Sequence, residues 1–304
     1  MRPLIRPSAL RQGDTIGIVA PASHLPHNER HIFFEGIRRL ESRGFRVTYD
    51  SAILDEHLYL AGPDSQRARI FTDAFLNPEI CGVIATRGGY GSQRILPFLN
   101  ERIIRDNPKI FVGSSDVTSL MIYLQTRCCL VTFYGPMAGS RQFDGENLQS
   151  LLDTLNGKKP PVLEGEPLKP GRARGPVVGG CLTGIVHGLG TPYEVDLEGA
   201  ILLAEEVNEA PYRIDRMLVH LRNAGKLKGV RGIVFGHMPG CDLEGRQAGL
   251  LRDVILDVFE ESDVPILFGA PIGHGNRTIT VPLGVEAVLD CASGKLEFSD
   301  AGVF

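Results

Sequence analysis

Short apolar runs alternate with amphipathic stretches through the first half of the chain. Thr15-Ile16-Gly17-Ile18-Val19-Ala20 is β-rich and stops at Pro21, which predicts a buried strand. A helical pattern follows from about Glu29 to Arg43, with Asn28 placed to cap it and Gly44 to close it. Phe45 to Tyr49 reads as a strand, Asp64 to Leu76 as a helix, and Cys81 to Thr86 as another strand. Helical spacing runs from Gly91 to Ile104, a strand from Ile110 to Val112, a helix from Asp116 to about Arg127, and a strand from Leu130 to Phe133. Strands alternating with helices predict an α/β fold with a mainly parallel sheet covered on both faces.

Residues 157–176 have a different texture. Gly157-Lys158-Lys159-Pro160-Pro161 and Lys169-Pro170-Gly171-Arg172-Ala173-Arg174-Gly175-Pro176 are rich in Gly, Pro and charge, as interdomain linkers are. Beyond them come a strand at Ala200 to Glu206, a helix from Tyr212 to Ala224, a strand at Val230 to Gly236, a helix from Ala248 to Phe259 and a strand at Pro265 to Phe268. Hairpin-like β segments end the chain. The expected division is a first domain at 1–156, a linker at 157–176 and a second domain at 177–304, and 304 residues suit two cores better than one.

Bulk chemistry narrows the function classes. With 43% hydrophobic and 22% charged residues and a net charge of -4, nothing favours nucleic acid or an anionic membrane as a partner. The first residues carry no apolar core of signal-peptide length and no run of about 18 apolar residues occurs, so the expected location is the cytoplasm. The 6 cysteines include no Cys-x-x-Cys pair, and with the 8 histidines dispersed no zinc-ligand spacing appears. No metal and no cofactor are expected; a nicotinamide enzyme would need a Gly-x-Gly-x-x-Gly turn after the first strand, which is missing.

Two turns stand out. The strand Ile110-Phe111-Val112 breaks at Gly113 into Ser114-Ser115-Asp116 and then a helix. A serine there projects its hydroxyl from the sheet edge, beside free N–H groups that stabilise an oxyanion. A helix cap made by Ser114, Ser115 or Asp116 satisfies the same pattern, and Val117 stands where a Gly-x-Ser-x-Gly elbow has its second glycine. Thr86-Arg87-Gly88-Gly89-Tyr90-Gly91 lets backbone approach a ligand, and Arg87 is placed to pair with a substrate carboxylate, although a bare tight turn accounts for it as well. In the second half, strand alternation sends Glu205 and Glu206 to opposite faces, and His274 lies on a Gly-rich loop after a strand. A serine nucleophile needs such a base and such an acid.

The opening Leu10-x-x-Gly13-Asp14-x-Ile16 with Ala20-Pro21, the runs Arg87-Gly88-Gly89-Tyr90-Gly91, Gly113-Ser114-Ser115-Asp116 and Glu205-Glu206-Val207-Asn208-Glu209, then Tyr212-x-x-Asp215-Arg216-Met217-Leu218 and Gly273-His274-Gly275, follow one another over nearly the whole chain. As an ordered set they resemble the LD-carboxypeptidase family of serine peptidases. The resemblance implies an N-terminal domain similar to class I glutamine amidotransferases, with a parallel sheet, and a smaller C-terminal swivelling β/α domain. The site would lie between them. It implies Ser115 as nucleophile, His274 as base and Glu205 as acid, with Glu206 in reserve. The N–H of Asp116 and one from Gly88 or Gly89 would form the oxyanion hole. Two positions depart from the family: Ser114, where an aromatic is frequent, and Cys181, where Asn is usual. Both bear on which peptide is accepted.

The activity so implied is cleavage of an amide between an L-centre and a terminal D-amino acid, releasing D-Ala from the murein tetrapeptide during cell-wall recycling. The expected partner is that small peptide, with the protein acting as a homodimer. A peptidase detoxifying a microcin C-like peptide–nucleotide antibiotic would share the chemistry. A reading of another class is a non-catalytic small-molecule binding protein, since two α/β domains around a cleft also suit ligand capture.

Overall fold

A computed structural model describes residues 3–242 and 248–304. The first half builds a sheet from β1 (Thr15–Val19), β2 (Arg46–Tyr49), β3 (Ile80–Ala85), β4 (Ile110–Gly113) and β5 (Thr132–Tyr134), every neighbouring pair parallel. Helices α1 (Arg30–Ser42), α2 (Asp64–Leu76), α3 (Ser92–Ile95), α4 (Glu101–Asp106), α5 (Thr118–Thr126) and α6 (Gly145–Leu155) accompany it. Strands β1, β3, β4 and β5 are buried along nearly their whole length, as expected where helices cover both faces, whereas the edge strand β2 is largely exposed.

Local chemistry explains where the elements depart from the sequence pattern. Pro97 sits in a 3-10 turn, Leu96–Phe98, that divides the continuous helix expected over 91–104. Asn100 then restarts the helix, its side chain accepting from the N–H groups of Arg102 and Ile103 at 3.0 and 3.4 Å. Asn28 does not cap α1. It lies within a 3-10 turn, His27–Glu29, and that helix begins with no side-chain cap.

The second sheet is mixed and, among the described residues, is built from β6 (Leu163–Glu164), β7 (Glu166–Lys169), β8 (Arg172–Cys181), β9 (Ile201–Glu205), β10 (Gly232–Phe235), β11 (Ile266–Phe268), β13 (Glu286–Asp290) and β14 (Lys295–Phe298), with β12 (Val281–Leu283) joined elsewhere. Its strand order is β6-β14-β13-β8-β9-β10-β11-β7. Helices α7 (Leu182–His187), α8 (Pro211–Asn223) and α9 (Leu250–Val258) belong to this half. The expected terminal hairpin is the antiparallel pair β13–β14.

The stretch expected as a linker is therefore not free chain: it supplies β6, β7 and the start of β8. The Gly-, Pro- and charge-rich runs lie around these strands: Gly157 to Pro161 precedes β6, and Lys169 to Pro176 spans the end of β7, a turn and the start of β8. Turn composition on both sides of short strands resembles a linker's.

The two halves meet both at a sheet and in the core, while a second apolar cluster around Leu202, Ile214, Ile233 and Ile255 belongs to the second half. Strand β12, from the second half, adds antiparallel to β5 in the first sheet. One continuous core runs from Phe33, Phe71 and Phe111 to Leu203, Val234 and Leu267. Between β11 and β12 the chain is tied to the first half by side chains. Gln142 donates to the carbonyl of Gly275, and Asn147 donates to that of Asn276 at 2.9 Å while accepting from the buried Thr278 N–H at 2.9 Å. Ser150 accepts from the Thr280 N–H at 3.1 Å.

Asn147→Ala strips the Thr278 N–H of its partner, and an unsatisfied buried donor costs about 1–3 kcal/mol. Urea unfolding is expected to show a loss of that size. A variant as stable as the wild type would contradict the role given to Asn147.

Candidate active site

Ser114 separates the end of β4 from Ser115, which opens a 3-10 turn, Ser115–Val117, that leads into α5. Its φ is +58, a left-handed conformation uncommon for a residue with a Cβ. Such strain persists only where the surroundings fix it, and it occurs at functional turns. The capping alternative is not what forms, because neither the turn nor α5 has a side-chain cap. The Asp116 carboxylate instead accepts from the Ser92 N–H at 2.8 Å, and the Ser92 hydroxyl donates to the Asp116 carbonyl at 2.6 Å. That pair fixes the start of α3 against the serine turn.

The Gly88-Gly89 turn lies directly against Ser115. A Cβ on Gly88 would stand 2.7 Å from the Ser115 Cβ, 3.0 Å from its Oγ and 3.2 Å from the Asp116 nitrogen. Glycine is required there by close approach. Beside it, Ser23 accepts from the Tyr90 N–H at 3.0 Å and so holds the turn.

Glu205 ends β9 and is fully buried. Its Oε2 lies 2.6 Å from Nδ1 of His274 and accepts from the His274 backbone N–H at 3.1 Å. A carboxylate cannot donate, so Nδ1 carries the proton and Nε2 is left as the basic nitrogen. Gly273 permits this contact, since a Cβ there would fall 2.3 Å from Oε2. Burial opposes charge on the His274 ring, but the hydrogen bond and charge of Glu205, with Glu206 behind it, outweigh that and raise its pKa above the ordinary 6.5.

Glu206 points the other way, as strand alternation requires. It accepts from the Thr183 N–H at 2.9 Å, the Thr183 hydroxyl at 2.7 Å and the Val207 N–H at 3.0 Å, with the Cys181 thiol 3.5 Å from both its oxygens. Burial, then the charges of Glu205 and Glu206, push the Cys181 thiol well up, so it stays protonated. Arg87 turns to Glu29 at 3.3 Å. That pair is about a third exposed (32% and 40%), and such pairs contribute only about 0–1 kcal/mol.

Sequence reasoning missed Tyr134, which closes a continuous path through the site. The buried phenol accepts from the Ser115 N–H at 3.0 Å and donates to Glu205 Oε1 at 2.5 Å. The site is thus linked as Ser115, Tyr134, Glu205, His274, whereas the Ser115 hydroxyl and the His274 ring make no direct hydrogen bond among the described residues. A signal for Tyr134 was available: it ends a parallel strand before Gly135-Pro136. Ligands in such sheets gather at the carboxyl ends of the strands.

Residues 16–135 match the LD-carboxypeptidase N-terminal domain, and residues 174–289 match the LD-carboxypeptidase C-terminal domain. The chain is 35% identical over 310 residues to a protein of Bacillus subtilis named "Probable murein peptide carboxypeptidase", covering 98% of this chain and 95% of that one. The chain belongs to the LD-carboxypeptidase family. Among solved structures, muramoyltetrapeptide carboxypeptidase from Oxalobacter formigenes shares 30% identity at a TM-score of 0.83, covering 94% of this chain and 98% of that one. The microcin C7 self-immunity protein MccF of Escherichia coli is 26% identical over 326 residues, covering 96% of this chain and 94% of that protein. A structure of MccF has the same fold at a TM-score of 0.91, covering 99% of this chain and 100% of that one.

Among the described residues of this family member, no His, Cys, Asp and Glu side chains cluster as a metal site, all 6 cysteines are free thiols, and no helix is long and apolar enough to cross a membrane.

Two outcomes follow from the geometry. Gly88→Ala places a methyl against Ser115, and a displacement of about 1 Å at a reacting group costs about a hundredfold in rate. A folded Gly88→Ala protein with wild-type turnover would contradict the close approach. The second concerns pH. His274 holds its proton more tightly folded than unfolded, so its interaction with Glu205 stabilises fully below the unfolded value near 6.5 and is lost as pH rises through the raised folded value. The stability difference between wild type and His274→Gln, from urea unfolding, is expected to grow as pH falls from about 9 towards 6. A difference flat with pH would contradict it.

Proposed function

We propose that this protein is a serine carboxypeptidase that hydrolyses an L,D-amide bond and releases D-Ala from the murein tetrapeptide in cell-wall recycling. The observation that carries the reading is the buried Glu205 carboxylate on the His274 ring, linked through Tyr134 to a strained Ser115. Kinship supplies the substrate, since similar proteins are named murein peptide and muramoyltetrapeptide carboxypeptidases.

The Ser115 Oγ attacks the scissile carbonyl as Nε2 of His274 takes its proton. Glu205 holds the ring in the productive tautomer and stabilises the imidazolium. The developing O⁻ is held by the Asp116 N–H and one from Gly88-Gly89. The tetrahedral intermediate collapses, the C–N bond breaks, and His274 returns the proton to the departing D-Ala amine. Water then attacks the acyl-serine with His274 again as base, freeing the shortened peptide and restoring Ser115. Arg87 receives a substrate carboxylate in exchange for its weak pairing with Glu29. The contact between Oγ and Nε2 forms as substrate seats, because catalytic hydrogen bonds tighten in the Michaelis complex. No metal or organic cofactor enters the cycle.

On the same reading residues 1–156 form the amidotransferase-like half and 177–304 the swivelling half. The protein works as a homodimer in the cytoplasm, where murein fragments return. A second reading, cleavage of a peptide–nucleotide antibiotic, is supported by the likeness to MccF. It shares every step.

Ser115→Ala is expected to lower release of D-Ala from murein tetrapeptide by about 10³-fold or more, with the melting temperature retained. Undiminished release from the purified variant would refute the mechanism. Run beside it, an aminoacyl sulfamoyl nucleotide cleaved with a higher kcat/KM than the tetrapeptide would replace recycling by detoxification.

A further inference from the structure

One polar group that the mechanism does not use is buried at the junction of the two sheets. The Tyr134 side chain is 1% exposed, and its hydroxyl lies between two elements that come from opposite halves of the chain. On one side is the backbone N–H of Ser115 at 3.0 Å, on the other Oε1 of Glu205 at 2.5 Å. The roles are fixed by chemistry. A backbone N–H only donates and an ionised carboxylate only accepts, so the phenol accepts from Ser115 and donates to Glu205.

We propose that Tyr134 is a positioning residue whose single hydroxyl couples the nucleophile turn to the triad acid. The inference rests on the triad reading above. Two consequences follow from the bond directions. The phenol proton occupies Oε1, so Oε2 is the oxygen left for Nδ1 and the N–H of His274, and the carboxylate cannot rotate without losing a partner. The Ser115 amide is held from behind in its left-handed conformation, which sets the direction of its side chain. Both bonds come from one oxygen, so a shift of the acid is transmitted to the nucleophile.

The electrostatic surroundings support the same assignment. Burial, then the charge of Glu205, raise the Tyr134 phenol well above its ordinary range, so it remains a donor at every working pH. The titratable groups around it are Glu205 at the end of β9, Glu206 after it, Cys181 at the end of β8 and His274 on its loop, with His237 after β10 and Cys241 beyond it also within the field of Glu205; burial holds the His237 ring below its ordinary range and the Cys241 thiol above its own. Glu206 is already bound by Thr183, Val207 and Cys181, and the Cys181 thiol is neutral, so the Tyr134 proton acts chiefly on Glu205. By drawing charge from that carboxylate, the phenol moderates the basicity Glu205 confers on His274.

The test compares wild type, Tyr134→Phe and protein carrying 3,5-difluorotyrosine at position 134, assayed on murein tetrapeptide across pH with Ser115→Ala in parallel. Phenylalanine keeps the ring and loses both bonds. The expected result is kcat lower by about tenfold or more with KM within about twofold. The acid limb of kcat/KM should move to higher pH by about half a unit, since Glu205 then holds the imidazolium more strongly. Difluorotyrosine keeps both bonds but donates more strongly, and should move the limb to lower pH. Should Tyr134→Phe fail to fold, the difluorotyrosine protein alone decides, by a limb that moves down or stays. An unmoved limb in the folded variants, with or without a fall in kcat, reduces Tyr134 to packing and overturns the proposal. Because Ser115→Ala is measured beside them, turnover surviving there marks failure of the triad itself. An inactive Ser115→Ala with wild-type behaviour at Tyr134 marks failure of this inference alone.

Discussion

A carboxylate removed from water is unstable unless its oxygens are bound, and Glu205 is wholly buried where the two sheets meet. Each of its partners comes from a different part of the chain: the phenol of Tyr134 from the first sheet, and the ring and backbone N–H of His274 from the loop after β11. Satisfying this one group therefore fixes the relation between the halves. The close contact at Gly273 follows from the same requirement, because nothing larger than hydrogen fits beside Oε2.

The rest of the molecule reads as support for that arrangement. Parallel strands β3, β4 and β5 bring the Gly88-Gly89 turn, Ser115 and Tyr134 to one edge of a sheet, the carboxyl edge where backbone N–H groups and side chains converge. The His274 loop is tied by Gln142, Asn147 and Ser150, all from the first half, so His274 and Ser115 are referenced to the same scaffold. Functional groups held within a fraction of an ångström need this kind of second layer.

Much of this was legible in the sequence, and the exceptions have physical causes. Strands such as Ile110–Gly113 announced themselves because a strand buried on both faces is apolar throughout. Ser115 did not: a serine at a strand-to-helix turn looks the same whether it caps the helix or points at a substrate. The absence of a side-chain cap and the left-handed backbone at Ser115 are both invisible in the residue letters. The short strands β6 and β7 were hidden by the Gly-, Pro- and charge-rich runs around them, Gly157 to Pro161 and Lys169 to Pro176, which resemble a linker. Tyr134 was missed because its importance lies in two partners, 19 and 71 positions away in sequence. Local spacing carries no trace of either. Glu205 against Glu206 was left open by sequence, and the period of two along a strand settles it once the facing loop is in place.

At the centre stands the buried Glu205 side chain and its hold on His274. Its most direct measurement is an NMR titration of ¹⁵N-labelled histidine, wild type against Glu205→Gln. The His274 ring in the wild type is expected to titrate above 6.5 with the proton on Nδ1. In Glu205→Gln only the charge of Glu206 still opposes burial, and the ring should titrate at lower pH than in the wild type. A His274 titration unchanged by the substitution would contradict it.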